Sequence, residues 1–81
     1  MVVVFSKVED LTDYLISRVD KARASGNNCI FVDSVKFKNY SKHNDAVRLL
    51  FSNRGEKIEV RPCPRGYYDI IITWEKEEIA S

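Results

Sequence analysis

Basic side chains gather in the middle of the sequence, between residues 36 and 65. This segment carries eight lysines and arginines and only three acidic residues, whereas the whole 81-residue chain has a formal net charge of +1. A local excess of positive charge attracts the phosphates of a nucleic acid. The sequence therefore predicts a small protein that binds DNA or RNA by its phosphate backbone. We expect the contacts to come from Lys36, Lys38, Lys42, Arg48, Arg54, Arg61, Arg65 and Tyr67.

The spacing of these residues indicates how they would form one surface. Lys36 and Lys38 are two residues apart on a predicted strand, so their side chains point to the same side. Arg48 lies off the apolar stripe of a predicted helix and faces water. Arg61 and Arg65 flank a predicted turn that can reach a phosphate backbone. Charge reversal of Arg48 and Arg61 is expected to abolish binding. The alternative is a solvated basic surface without a ligand.

Catalytic chemistry has little support in the sequence. The single histidine, His43, lies at a predicted helix start beside Lys42 and Asn44, where an exposed histidine is ordinary. A ribonuclease that uses His43 with Arg54 or Arg61 has no supporting spacing. The sequence also lacks a P-loop, a glycine-rich dinucleotide turn and a metal-ligand cluster. We therefore expect a protein that is not an enzyme and uses no cofactor or metal.

The two cysteines, Cys29 and Cys63, are 34 positions apart and fit no metal-ligand spacing. The apolar N-terminus is not expected to be a secretory leader, and free thiols in a cytoplasmic protein are therefore expected rather than one disulfide. Cys63 stands between two prolines, and the neighbouring Arg61 and Arg65 are expected to lower the pKa of its thiol. A turn cysteine without a redox role is favoured over a reactive thiol.

The first third of the chain predicts a strand followed by a helix. Residues 2–5 are an apolar, β-branched run that is too short for a helix. Ser6 and Glu9 form a capping-box pattern, in which each side chain satisfies a backbone N–H at a helix start. Gly26 is expected to end this helix. The apolar stripe of the helix consists of Val8, Leu11, Leu15, Val19 and Ala22.

The rest of the chain predicts a strand, a second helix and a hairpin. Residues 29–37 are rich in β-branched and aromatic side chains, which favour a strand. Ser41 is expected to cap a helix that Gly55 ends. A proline-rich turn at residues 62–66 joins two further strands, because proline cannot donate to a ladder. The expected core residues of the second helix and the last strand are Ala46, Val47, Leu50, Phe51, Tyr68, Ile70, Ile72 and Trp74.

The order of these elements predicts the α+β fold class. Strand, helix, strand, helix, strand, strand gives a two-layer sandwich, with a mixed four-stranded sheet and both helices on one face. Residues 1–74 would form one domain, and residues 75–81 an acidic, disordered tail. Tyr67, Ile71 and Thr73 would line the uncovered side of the sheet, where a homodimer is expected to form.

A winged helix-turn-helix is the alternative fold. In that arrangement Asp33 caps a short helix over residues 34–39, residues 41–53 form a recognition helix, and the terminal hairpin forms the wing. The β-branched and aromatic side chains of residues 29–37 prefer extended backbone and therefore favour the first arrangement.

The element order of the first arrangement resembles that of the Alba chromatin proteins and of the C-terminal domain of bacterial translation initiation factor three. The resemblance spans residues 2–74 and implies nucleic-acid binding, which both families perform. The Alba pattern places a lysine pair and a glycine between the first strand and the first helix, where this chain has Ser6-Lys7-Val8. The Alba hairpin arm is long and basic, whereas the turn here carries only Arg65. The resemblance is therefore one of order and assigns no functional residue.

A second functional class is a small protein-interaction module, such as a viral or plasmid-encoded inhibitor or adaptor. A short chain with clustered charges of both signs and no catalytic cluster suits binding rather than catalysis. Such a module would dock on a protein partner through the uncovered sheet face or the acidic tail. The chain has no apolar stretch long enough for a membrane span, so no membrane partner is expected.

Overall fold

Four strands form one mixed sheet in a computed structural model that describes residues 3–38 and 40–75. The strands are β1 (Val3–Phe5), β2 (Cys29–Phe37), β3 (Glu56–Pro62) and β4 (Tyr67–Trp74). Their order across the sheet is β1-β2-β4-β3, with β1 and β2 parallel and the other neighbouring pairs antiparallel. The predicted mixed four-stranded sheet is confirmed, and β2 and β4 have the predicted bounds.

Two helices, α1 (Val8–Ala24) and α2 (Asn44–Asn53), pack on one face of this sheet. The observed order β-α-β-α-β-β confirms the predicted two-layer α+β arrangement. The winged helix-turn-helix is wrong, because residues 35–37, which it placed in a helix, belong to β2 and pair with neighbouring strands. The predicted acidic tail, apart from Glu75, lies outside the described residues.

The start of α1 differs from the predicted capping box. The helix begins at Val8, and Lys7 occupies the cap position with extended backbone and no side-chain hydrogen bond. Ser6 therefore lies one residue before the cap, too far from the free N–H groups of the first turn. The carboxylates of Glu9 and Asp10 lie in that turn, where they interact favourably with the positive end of the helix dipole.

The other end of α1 closes as predicted at Gly26, whose φ is +82°. The N–H of Gly26 donates to the carbonyl of Arg23 at 3.0 Å, and that of Asn27 donates to the carbonyl of Ala22 at 2.9 Å. This pair of hydrogen bonds is a Schellman motif, which requires a positive φ and therefore favours glycine.

The entry into α2 also differs from the prediction. Ser41 does not cap the helix, because it lies within a separate 3₁₀ helix, Tyr40–Lys42. The buried ring of Tyr40 packs against Phe37 and Tyr68, with ring centroids 6.2 and 5.4 Å away. Burial raises the pKa of Tyr40 to about 12, so its hydroxyl stays neutral. This packing holds the chain in an additional turn before α2 begins.

Only part of the apolar side predicted for α2 reaches the core. Val47 and Phe51 are buried, whereas Ala46 is exposed and Leu50 is 38% exposed. α2 is short and packs on β3, the last strand of the sheet, so its outer side has no neighbouring element among the described residues. Leu49 is 62% exposed on this outer side.

A β-bulge in the middle of β2 decides which of its residues face the core. Between the pairings of Val32 and Val35 with β4, two residues of β2 stand opposite the single residue Asp69. Ser34 takes a φ of +56°, and its N–H donates to Asp69 Oδ1 at 3.3 Å. The extra residue reverses the alternation, so that Val32 and Val35 both point to the core.

The core lies between the helices and one face of the sheet. α1 contributes three residues of its predicted stripe, and β2, β3 and β4 contribute their inward-pointing residues. The predicted core residues of β4 are confirmed, with Tyr68 partly buried and the other three buried. The buried apolar side chains are Leu11, Leu15, Val19, Ile30, Val32, Val35, Phe37, Tyr40, Val47, Phe51, Ile58, Ile70, Ile72 and Trp74.

Candidate nucleic-acid interface

The sheet face opposite the helices is covered by no other element among the described residues. Alternate residues of each strand line this face, and cross-strand pairing sets their neighbours. At one end Val4, Lys36 and Tyr67 lie side by side, and in the middle Phe31 lies next to Ile71. We call this surface the uncovered face. It is lined by Val4, Cys29, Phe31, Lys36, Lys57, Glu59, Arg61, Tyr67, Asp69, Ile71 and Thr73.

Four of the predicted contact residues meet at one end of the uncovered face. Lys36 Nζ lies 5.9 Å from the centroid of the Tyr67 ring, within the range of a cation–π contact. Lys38 is exposed immediately beyond the end of β2, two residues after Lys36. Arg65 is exposed in the turn that leads into β4. We call Lys36, Lys38, Arg65 and Tyr67 the basic end.

The turn between β3 and β4 places Arg65 at the basic end. Cys63 N–H donates to the carbonyl of Tyr67 at 2.7 Å and closes the turn. Within it, Arg65 and Gly66 take φ values of +66° and +80°. Two successive residues with positive φ reverse the chain tightly, and Arg65 is therefore carried at the tip.

Within the described residues, Arg61 forms a salt bridge, whereas the cations of the basic end do not. In the described part of the chain, Lys36, Lys38 and Arg65 form none. Their charges are therefore available to a ligand. Arg61 lies on the same face, but its Nη2 is 3.4 Å from Glu59 Oε2, and both side chains are exposed. The charge of Arg61 is thus partly offset by its neighbour.

Arg54 lies at the opposite end of the molecule, in a group of ion pairs that we call the ion-pair cluster: Asp20, Arg23, Arg54 and Glu56. Arg54 Nη2 is 2.8 Å from Asp20 Oδ1, and Arg54 Nε is 2.9 Å from Glu56 Oε1. Arg23 Nη2 is 2.7 Å from Glu56 Oε2. The hydrogen bond to Glu56 is the main cause that raises the pKa of Arg54. Arg54 therefore has a structural role, separate from the basic end.

Lys42 and Arg48 belong to the helix layer. Lys42 is exposed in the 3₁₀ helix that precedes α2, and Arg48 is exposed on α2. Arg48 lines a shallow groove between α2 and β3, whereas Arg61 lies on the uncovered face. Arg48 also lines a groove that reaches Glu59 and Ile71 of the uncovered face, so it lies beside the outer edge of β3 and not on the face itself.

Phe31 is the candidate residue that the sequence interpretation missed. Its side chain is 56% exposed in the middle of the uncovered face, next to Ile71, and Val4 is 64% exposed at the edge of the same face. Large apolar side chains that share an open face commonly mark a binding surface. No signal in the sequence marks this exposure, because Ile30, Phe31 and Val32 form an uninterrupted apolar run in which no residue marks the solvent side.

Cys29 and Cys63 are free thiols, as predicted. The expectation that arginines lower the pKa of Cys63 is wrong. Partial burial and the carboxylate of Asp69 raise the pKa of this thiol. The thiol also donates to the carbonyl of Arg61, with Sγ and oxygen 3.7 Å apart. A raised pKa leaves less thiolate at neutral pH, which slows nucleophilic attack by Cys63.

We expect Cys63 in the Cys29→Ser protein to react with iodoacetamide more slowly than a cysteine in an unstructured peptide. Its rate should rise with pH through a midpoint above that of the peptide, since only the thiolate reacts. Asp69→Asn removes the charge but keeps an oxygen for the Ser34 N–H, and should accelerate the reaction. Alkylation faster than that of the peptide would contradict the raised pKa.

No metal site or membrane span is found in residues 3–38 and 40–75. The His, Cys, Asp and Glu side chains of these residues form no group of three or more that could hold a metal ion. No helix in the same ranges is long and apolar enough to cross a membrane.

No family model, curated protein or solved structure matches the chain. The similarity to Alba proteins and to initiation factor three remains one of element order. The basic end and Phe31 are accordingly defined by the geometry of this chain alone.

Proposed function

We propose that the protein binds single-stranded DNA or RNA through the uncovered face and does not act as an enzyme. One observation carries the proposal: Phe31 and Tyr67 lie on the same uncovered face as Lys36, with Lys38 and Arg65 at its end. Cations attract the phosphate backbone, and aromatic rings stack with unpaired bases. Surfaces that bind single strands combine these two features.

A single strand suits this face better than a duplex. The bases of a duplex are stacked on each other and are reached only through the grooves, into which a helix or a β-ribbon must fit. Exposed rings on an open sheet instead offer stacking surfaces to bases that are already unpaired. Tyr67 and Ile71, the neighbour of Phe31, are four residues apart on β4, which corresponds to about 14 Å. The two rings can therefore contact different nucleotides of one strand.

Acidic side chains in the middle of the uncovered face restrict phosphate contacts to the basic end. Asp69 accepts the N–H of Ser34, and Glu59 pairs with Arg61. Both carboxylates would repel a phosphate lying over the middle of the face. We therefore place the phosphates at the basic end and the bases over the middle. Binding that depends on a few cations should weaken steeply as salt is added.

The test is a fluorescence-anisotropy titration with a labelled single strand and with its duplex, using variants of Phe31. Phe31→Leu should weaken single-strand binding by about 1 kcal/mol or more, because it removes a stacking surface. That loss corresponds to a dissociation constant raised about fivefold or more. Phe31→Tyr keeps the ring and should keep the affinity.

The matched pair of Phe31 variants separates stacking from apolar burial. Leucine is apolar and of similar volume, so a ligand that only needs apolar contact would bind both variants alike. Equal affinity of Phe31→Leu and Phe31→Tyr would therefore contradict stacking. Absence of binding to any nucleic acid at low salt would contradict the whole proposal.

The second candidate function is a protein-interaction module, and the exposure of Val4 and Phe31 on one face favours it. In this alternative the uncovered face binds the apolar surface of a partner protein, with Lys36 and Arg65 at the rim. The viral or plasmid-type adaptor and the cytoplasmic location both remain proposals. The titration described above distinguishes the two candidates, because the adaptor would show no salt-sensitive binding to a single strand.

A further inference from the structure

The outer edge of β3 presents free backbone hydrogen-bonding groups. In antiparallel strands, residues bond to the neighbouring strand alternately. Cys63 N–H donates to the carbonyl of Tyr67. Every second residue before Cys63 therefore also forms its backbone hydrogen bonds with β4, and these residues are Lys57, Glu59 and Arg61. The N–H and carbonyl groups of the intervening residues therefore point away from β4. Among the described residues no strand lies on that side, because β3 ends the sheet.

The length and composition of this edge favour pairing with another strand. β3 has seven residues, and Pro62, which lacks an N–H, is its last residue. The other edge strand, β1, has only three residues. A long regular edge without a bulge or an internal proline is a template for strand addition.

A second observation points to the same edge. Leu49 of α2 is 62% exposed, and with Lys57 and Ile58 it lines the shallow groove between α2 and β3. When another strand pairs with a free strand edge, the helix that packs on the added strand covers an apolar side chain beside that edge. The strand edge and Leu49 would thus be covered together by one partner.

We propose that this partner is a second copy of the chain, paired antiparallel through β3 about a two-fold axis at Ile58. In this register Lys57 of each copy lies opposite Glu59 of the other, on the uncovered face. Glu56 lies opposite Val60, and Ile58 lies opposite its own copy. The outward N–H groups of all three residues then meet carbonyl oxygens of the other copy.

Charge and hydrogen bonding select this register over its neighbours. Residues directly opposite each other in an antiparallel pair point to the same face of the sheet. The two-fold axis must therefore pass through a residue and not between two residues. An axis at Lys57 would place Lys57 against its own copy, and an axis at Glu59 would place Lys57 against Arg61. Both are pairs of like charges. An axis at Val60 would place Ile58 opposite Pro62, which has no N–H to donate. Only the axis at Ile58 gives opposite charges and complete hydrogen bonding.

The resulting dimer would contain one continuous sheet of eight strands. Its helices would all lie on one side, and Leu49 of the two copies would meet across the axis. Both uncovered faces would lie on the other side and remain open. This inference does not depend on nucleic-acid binding, because it uses the edge of the sheet and not the basic end.

The test is sedimentation equilibrium of the whole chain and of charge variants of β3. The wild-type protein should reach twice its monomer mass of 9.4 kDa. Lys57→Glu and Glu59→Lys each replace two attractive pairs with two repulsive ones, and each should raise the dimer dissociation constant about tenfold or more. The double variant Lys57→Glu/Glu59→Lys restores opposite charges and should return the constant to within a few fold of wild type.

The rescue by the double variant is specific to the proposed register. Lys57 and Glu59 are exposed, so the variants should fold, and circular dichroism provides the check. A wild-type protein that stays monomeric at all concentrations would overturn the proposal. A dimer that forms but is insensitive to Lys57→Glu, or is not rescued by the double variant, would overturn the register and with it the two-fold axis at Ile58.

Discussion

The double substitution Lys36→Gln/Lys38→Gln is expected to weaken single-strand binding about 100-fold at low salt. A hydrogen bond between charged groups contributes about 1.5 kcal/mol or more, which corresponds to about tenfold in affinity for each lysine. Neither lysine forms a salt bridge within the described residues, so the substitutions remove the full attraction of both charges for the phosphates. The measurement is an anisotropy titration over a range of salt concentrations. The slope of log affinity against log salt should become shallower by about 1.4, since each phosphate contact to a single strand contributes about 0.7.

The control is a variant with the same net charge and an unchanged basic end. Arg18→Gln/Lys21→Gln removes two exposed cations from α1, in the helix layer on the other side of the sheet. Its affinity and salt slope should remain close to those of the wild type. An equal loss in both double variants would mean that binding depends on total charge and that the basic end is not a site.

The double substitution Arg23→Met/Arg54→Met is expected to lower the free energy of unfolding by about 3–5 kcal/mol. The Glu56 side chain is 1% exposed and is held by both guanidinium groups, at 2.7 and 2.9 Å. Without them, a buried carboxylate would have no partner, and charge burial without compensation is strongly unfavourable. Arg23 also lies 5.1 Å from the centroid of the Trp74 ring, a contact that the same variant removes. Urea denaturation followed by circular dichroism measures the change.

A further substitution in the same background isolates the cause. Glu56→Gln, added to Arg23→Met/Arg54→Met, removes the unpaired charge and should recover a large part of the lost stability. Nucleic-acid affinity of the folded variant should stay near wild type, because the ion-pair cluster and the basic end lie at opposite ends of the sheet. A loss of stability below about 1 kcal/mol would show that Glu56 is solvated or neutral without its partners.

The ion-pair cluster explains why charge counted along the chain overestimated the interface. Arg54 belongs to the basic segment by position, yet its partner Asp20 lies 34 residues away, outside that segment. Summing charges along a segment cannot include such a partner, because the contact exists only after both helices have packed on the sheet. The same limit applies to Arg48, whose place in the helix layer depends on how α2 lies on the sheet.

The places where local prediction failed are helix starts and one strand residue. The pattern of Ser6 and Glu9 fits a capping box, but Lys7 occupies the cap position with extended backbone and the helix begins at Val8. Ser41 is drawn into a 3₁₀ turn because the Tyr40 ring is buried beside Tyr68. Phe31 was recognised as a strand residue, but the side to which it points could not be assigned, because its neighbours Ile30 and Val32 are also apolar.

The element order, the β2 and β4 bounds and the core stripe of α1 were determined by the amino-acid sequence itself. These features follow from the spacing of apolar residues and from glycine and proline, which act within a few residues of the chain. The side of β4 that carries Tyr67, Ile71 and Thr73 was also correctly predicted to line the uncovered face. The β-bulge that reverses the alternation in β2 was not predicted, because it depends on pairing with β4. Only the tertiary structure decided which cations are free and which strand ends the sheet. Each of these depends on contacts between residues far apart in the chain, and a local pattern contains no information about such partners.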